Sequence, residues 1–189
     1  MANFNSYIDA LDMDFWLEVC SRTGTLRHYK KGEVFVKDGE PAKYWGVVVR
    51  GYFKYVITDD AGNDHVTGFT FSNNLVGDFL SIVGKSRARA CIVAATDTDV
   101  MLSPLAVIQQ LFDKNPMLRQ TLSEGLFEQA YTQYLDMFRL SPKARYVALL
   151  KRCPDILQHV TLKELASFLQ ITPTHLSRLR KELTFAKGL

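Results

Sequence analysis

Residues 160–183, VTLKELASFLQITPTHLSRLRKEL, carry two apolar stripes at helical spacing with a break between them. Thr161 followed three residues on by Glu164 is a capping-box signature, so a helix starts there. Leu165, Phe168 and Leu169 give that helix its apolar face, and Ala166 is small enough for a second helix to approach. Ile171 lies in the turn. Thr172 can cap the next helix, with Pro173 at the first position, where a missing N–H costs nothing. Leu176, Leu179 and Leu183 return at steps of three and four and form one stripe. The opposite face holds Thr174, His175, Ser177, Arg178 and Lys181, with Arg180 on the flank. A buried leucine stripe behind a polar, basic second helix is what a helix-turn-helix needs to enter a major groove. The same spacing also fits a plain helical hairpin with a solvated basic face. Gln170 occupies the turn where such motifs usually have Gly, so it is expected to take a left-handed backbone at some cost.

Charge separates the two readings. Residues 139–189 hold ten Lys/Arg against three Asp/Glu, a net +7, whereas residues 1–138 hold thirteen against seventeen, a net −4. A basic tail on an acidic body is the electrostatic footprint of a nucleic-acid reader. The 189 residues are 47% hydrophobic and 23% charged, as in ordinary globular domains. No apolar run approaches the roughly 20 residues of a membrane helix, and MANFNSYIDALDMDFW lacks the basic-then-apolar plan of a signal peptide. A cytoplasmic protein without membrane contact is expected. Cys20, Cys91 and Cys153 show neither metal spacing nor a disulfide framework.

Working back from the tail, Ser141-Pro142 marks both a boundary and a helix start. Asn115-Pro116 opens a longer helix reaching about Arg139. That helix carries two stripes, Leu118, Leu122, Leu126 and Ala130 on one and Phe127, Tyr131, Tyr134 and Phe138 on the other. One body face needs only one stripe, so the second is read as a dimer seam. The alternative is that both pack on the body. Leu122, Leu126, Phe127, Ala130, Tyr131, Tyr134 and Phe138 are the expected interface residues. Ser103-Pro104 is read as a further helix start. Upstream, from Leu26, short Val-, Tyr-, Phe- and Thr-rich runs are punctuated by Gly32, Gly39, Gly51 and Gly62, the pattern of a small antiparallel barrel or sandwich. Asp60-Ala61-Gly62-Asn63 is an expected hairpin turn, and Arg89–Leu102 a second β stretch. Residues 3–21 read as one amphipathic helix with Phe4, Ile8, Leu11, Phe15 and Val19 inside and Asp9, Asp12, Asp14 and Glu18 outside.

KKGEVFVKDGEPAKYWGVVVRGYFKY, VGDFLSI, SPKARYVALL and the helix-turn-helix, in this order, resemble the Crp/Fnr family of bacterial transcription regulators, and the tail resembles its Bacteroidetes-type branch. The resemblance covers nearly the whole chain. It implies an α+β fold: a cyclic-nucleotide-binding-type β-roll with flanking helices (1–115), a long dimerisation helix (116–139) and a helix-turn-helix domain with little or no wing (140–189). It further implies a homodimer on double-stranded DNA, with RNA polymerase as a partner if the protein activates.

Relatives that bind cyclic AMP hold the ribose and phosphate with a Gly-Glu pair, the amides of a short helix and a following Arg, the chemistry of an anion at a helix N-terminus plus a guanidinium. Gly77-Asp78 stand at the Gly-Glu position, followed by Phe79 and Leu80. Ala88 falls where the Arg is expected, between Arg87 and Arg89. Gly77, Asp78, Phe79, Leu80, Arg87 and Arg89 are thus the candidate effector residues, for a cyclic nucleotide or another small ligand. Three scattered cysteines do not supply the four-cysteine cluster of the family's iron–sulfur sensors. His28, His65, His159 and His175 show no haem pattern, although one His suffices for an axial ligand. By resemblance Arg178 is the best base reader, to guanine O6 and N7. Pro173 and Thr174 replace the family's usual Arg and Glu readers. Thr174, His175 and Ser177 are further base candidates, and Thr172, Arg180 and Lys181 phosphate candidates. The rival reading is a ligand-binding or protein-interaction module whose hairpin meets protein rather than DNA. No nucleophile–base set, phosphate loop or metal cluster is apparent, so no catalytic residue and no metal are expected.

Overall fold

The computed structural model describes residues 4–84 and 86–186. The expected N-terminal helix is two pieces, a 3₁₀ turn Ser6–Ala10 and helix α1, Met13–Thr23. Asp12 separates them, because its extended backbone lets its carboxylate accept from the Phe15 N–H and cap α1. The deepest residues of α1 are Trp16 and Cys20, not Phe15 and Val19, which are half-buried. Asp9, Asp12, Asp14 and Glu18 face outward as expected.

Eight strands follow among the described residues: β1 Thr25–Tyr29, β2 Val34–Val36, β3 Tyr44–Arg50, β4 Tyr52–Thr58, β5 Asp64–Phe71, β6 Leu75–Val76, β7 Cys91–Ala94 and β8 Thr98–Pro104. They form two four-stranded sheets, β1-β8-β3-β6 and β2-β7-β4-β5, antiparallel throughout. All four expected turn glycines have positive φ. At Gly51 a side chain would also run into the Asp97 carbonyl and Thr98, so that position needs glycine twice over. The hairpin at 59–63 closes as expected, with Asp59 N–H donating to Asn63 O and Gly62 N–H to Asp59 O.

The sheets meet over a core of Tyr29, Val48, Phe53, Ile92, Ala94 and Val100. Between β6 and β7 lies helix α2, Phe79–Gly84, and after β8 comes α3, Leu105–Lys114. The helix expected at Ser103-Pro104 forms as α3, but Ser103 does not cap it. Ser103 is buried in β8 with its hydroxyl 2.7 Å from that of Thr23, and Pro104 precedes α3 without a side-chain cap.

The long helix α4 runs Pro116–Arg139, about 36 Å at 1.5 Å per residue. Asn115 caps it as expected. Its first stripe packs on the body: Leu122 is fully buried in a cluster with Tyr7, Trp16, Trp45 and Ile108, and Leu118 and Leu126 lie partly buried against it. Leu122 therefore leaves the expected interface set. The second stripe has no cover: Phe127, Tyr131, Tyr134 and Phe138 are 51–73% exposed, and Ala130 is exposed beside them.

Four helices complete the described chain: α5 Pro142–Arg152, α6 Ile156–His159, α7 Leu162–Phe168 and α8 Pro173–Ala186. Ser141 caps α5 through the Ala144 N–H. A third apolar cluster joins this helical group to the outer face of the second sheet, with Phe4, Tyr52, Phe69 and Phe71 against Leu165, Leu169, Leu176 and Leu179. Strand β4 consequently serves two cores. Phe53 and Tyr55 point into the roll, while Tyr52 and Lys54 point to the helices. The expectation of little or no wing concerns chain beyond Ala186, outside the described residues.

Candidate nucleic-acid interface and effector loop

The capping box of α7 is complete. Thr161 Oγ accepts from the Glu164 N–H at 3.2 Å, and the Glu164 carboxylate accepts from the Thr161 N–H at 3.1 Å. At the other end Gln170 has φ of 55°, with its N–H on Ser167 O and the Ile171 N–H on Ala166 O, both 3.0 Å. This is a full Schellman closure with Gln in the left-handed position that usually holds Gly. Thr172 Oγ accepts from the His175 N–H at 3.1 Å and starts α8.

Leu176 and Leu179 are buried and Leu183 half-buried, which fixes the opposite face of α8 outward. Thr172, Pro173, Thr174, His175, Arg178, Arg180 and Lys181 are all exposed, and Ser177 is half-buried. Pro173, Thr174, Ser177, Arg178 and Lys181 line one shallow groove of about 420 Å³ with Leu162 of α7. Among the described residues Arg178 and Lys181 make no hydrogen bond or ion pair. Their charges stand free on a face with no acidic side chain in that groove, an arrangement suited to a polyanion.

Two contacts of this unit escape sequence reasoning. Arg145 on α5 donates to Leu140 O at 2.9 Å and to Leu169 O at 3.0 Å, so one guanidinium joins the end of α4 to the turn of the hairpin. Glu164 has a second role. It accepts from Lys54 Nζ at 2.9 Å and from the Tyr52 hydroxyl at 3.2 Å, both on β4. Burial alone would raise its pKa, but the hydrogen bonds from Lys54 and Thr161 outweigh this and hold it below the ordinary value. Beside it, burial first and the Glu164 charge second push the Tyr52 phenol up.

The effector loop is arranged differently from the resemblance. Gly77 is buried with Trp45 packed so closely over it that a Cβ would overlap the indole. Tyr55 reaches from β4 to donate to Gly77 O at 3.3 Å. The Asp78 carboxylate accepts from both the N–H and the hydroxyl of Ser81, at 2.8 and 2.6 Å, and so caps α2. Phe79 is half-buried and Leu80 exposed. Arg87 is exposed and donates to Gly39 O at 2.9 Å, and Arg89 is exposed. Ala88 between them is buried in the core of the roll. The slot expected to hold a guanidinium thus holds a methyl group, and among the described residues no hydrogen bond joins Asp78 to Arg87 or Arg89.

Residues 26–115 match the cyclic nucleotide-binding domain family, the span that forms the roll and α3. Over 132 residues, 70% of its length, the chain is 30% identical to the transcriptional activator protein Anr of Pseudomonas aeruginosa. The domain match and this relative support the Crp/Fnr resemblance. It spans about half (52%) of the length of Anr. The solved structures share the fold. FixK2 of Bradyrhizobium japonicum superposes with a TM-score of 0.77 at 18% identity over 87% of this chain and 86% of that one. The c-di-GMP responsive regulator CLP of Xanthomonas campestris gives 0.68 at 18% over 93% of each. The Thermus thermophilus catabolite activator protein gives 0.57 at 19% over 96% of this chain and 88% of that one. Cys20, Cys91 and Cys153 lie on α1, on β7 and just after α5. Burial pushes the Cys20 and Cys153 thiols up to about 12 and about 11. Among the described residues no helix is long and apolar enough to cross a membrane.

Proposed function

We propose that the protein is a homodimeric DNA-binding transcription regulator that binds a two-fold operator through α8. The observation that carries this reading is the outward face of α8, where, among the described residues, Arg178 and Lys181 stand without protein partners over buried Leu176 and Leu179. Residues 1–115 serve as the sensor, 116–139 as the dimer helix and 140–189 as the reader. Arg178 reads a base edge, Thr174, His175 and Ser177 assist, and Thr172, Arg180 and Lys181 hold phosphates. Anr is named as a transcriptional activator; if this chain also activates, RNA polymerase is its further partner.

The uncovered aromatic stripe of α4 supports the dimer. Met117, Gln120, Glu124, Phe127, Tyr131, Tyr134 and Phe138 alternate steps of three and four, the a/d register of a two-stranded coiled coil. Two copies would bury on each other the side chains that one copy leaves in water. The effector is not read as a cyclic phosphate, because Ala88 fills the guanidinium slot and Asp78 is occupied by Ser81.

Selection from randomised duplexes tests this. A pseudo-palindromic site with half-sites one helical turn apart is expected, with affinity falling steeply as salt rises. Arg178→Ala is expected to cost about 1–3 kcal/mol and relax one base position, whereas Lys181→Ala weakens all sequences alike. Added cyclic AMP or cyclic GMP is expected to leave binding unchanged. No preference for any duplex would turn the reading to a protein-interaction module.

A further inference from the structure

We propose that strand β4 links the effector loop to the DNA reader, with Glu164 as the positioning residue that Lys54 and Tyr52 hold in place. This rests on the DNA-reading function proposed above and names how the roll would control it within one protomer.

The geometry begins with strand alternation. Successive side chains of β4 point to opposite faces. On the inner face Tyr55 crosses the roll and donates to Gly77 O, one residue before Asp78 caps α2. On the outer face Lys54, its chain neighbour, donates to Glu164 at 2.9 Å, and Tyr52 adds a second hydrogen bond at 3.2 Å. Glu164 is also the carboxylate of the capping box that starts α7. Four residues therefore join the loop that opens α2 to the cap that opens the reader.

Around this link α7 is seated along β5, the edge of its sheet. Ser167 Oγ accepts from the Val66 N–H at 2.9 Å, which satisfies a strand amide that no neighbouring strand reaches. Phe168 packs edge-on to Phe4 and tilted on Phe69, with centroids 5.3 and 5.8 Å apart. The Lys54 and Glu164 side chains are 27% and 12% exposed, so this pair is shielded from the solvent that weakens surface ion pairs.

The direction of the effect follows from exposure. With α7 seated on β5, the reading face of α8 stays open. Docking does not hide the reader; it fixes its orientation before DNA arrives, which lowers the ordering cost of binding. A displacement of the Gly77–Asp78 loop pulls on Tyr55, shifts β4 and loosens the hold on Glu164. Affinity for DNA then falls without any change in the residues that touch it.

The test uses the full chain with Lys54→Met, Lys54→Arg, Glu164→Gln and Tyr55→Phe, read by amide hydrogen exchange and by affinity for the selected duplex. Gln keeps an oxygen for the Thr161 N–H, so Glu164→Gln removes the charge and keeps the cap. Lys54→Met and Glu164→Gln are each expected to raise exchange in α7 and to lower duplex affinity by about fivefold. The salt slope should stay unchanged, since phosphate contacts are intact. The double variant should be no weaker than either single one, and Lys54→Arg should restore binding. Tyr55→Phe should raise exchange both at Gly77–Ser81 and in α7. Unchanged α7 exchange in Lys54→Met, or a Tyr55→Phe effect confined to Gly77–Ser81, would overturn the link. If the parent protein prefers no duplex, the DNA reading fails, and the exchange measurements still judge the link by themselves.

Discussion

Gln170 shows how one residue can be forced against its preference. Its φ of 55° puts a side chain in the left-handed region, which costs an L-residue roughly 1–2 kcal/mol. The chain accepts this because the two Schellman hydrogen bonds to Ser167 O and Ala166 O close α7, and Ile171 must turn in beside the leucines. Gln170→Gly removes the Cβ penalty but adds unfolded-state freedom. The net expectation is a gain of about 1 kcal/mol, seen as a rise of about 2–4 °C in the thermal midpoint for a chain of this size. An unchanged or lowered midpoint would show that the Gln side chain contributes something the backbone account omits. This cost was legible in the sequence, since Gln stands where two capped helices leave room only for a left-handed turn. The Asp12 cap is equally local, yet it is masked in the sequence because Phe4, Ile8, Leu11, Phe15 and Val19 keep an unbroken helical period across it.

At the scale of elements, helix ends and turns were readable because caps act over three or four residues. Thr161, Thr172, Ser141, Asn115 and the four turn glycines all behave as their local chemistry requires. The docking of α7 was not readable. Lys54 and Glu164 are 110 residues apart, and in sequence Glu164 looks fully used by its capping box. The surroundings of the effector loop were hidden for a related reason: Gly77-Asp78 keeps the Gly and replaces the Glu by Asp, but Ser81 and the burial of Ala88 decide what those residues face. Helix α4 lies between these cases. Its stripes were visible, and the structure shows which one the body takes. In the remaining a/d register Glu124 occupies an a position, where a parallel two-fold dimer sets it against its own copy. Two carboxylates in that seam repel each other, whereas Phe127 and Tyr131, stacked 5.6 Å apart, supply the attraction one turn later. Glu124→Leu is therefore expected to tighten the dimer by about tenfold, or ~1.4 kcal/mol. Phe127→Asp is expected to dissociate it. Sedimentation equilibrium measures both, and a monomeric parent protein would refute the seam.

Across the whole molecule, acid should separate the reader from the roll before the roll itself fails. The roll is closed by strand pairing and an apolar core, neither of which titrates, and depressed carboxylates such as Asp59 and Asp99 pair at its solvent-exposed surface, where ion pairs contribute little. The reader is held on it by Glu164 with Lys54, by Arg152 with Asp9 at 2.9 Å, and by the Phe4–Phe69–Phe168 contacts. The Glu164 pKa is held below the ordinary value, by Lys54 and Thr161 against the effect of burial. A carboxyl depressed on folding binds fewer protons folded than unfolded, so its contribution is present above the unfolded value near 4.3 and is lost as pH falls through the folded one. The parent protein should accordingly exceed Glu164→Gln in thermal midpoint at pH 7, and the difference should shrink at an acid pH below the unfolded value near 4.3. Exchange in α7 should rise over the same interval, ahead of exchange in β3 and β8. Thermal unfolding with amide exchange at both pH values measures this. A pH-independent gap between parent and variant would mean that Glu164 stabilises the fold by its shape and hydrogen bonds alone, and that the charge on Lys54 contributes nothing to holding the reader.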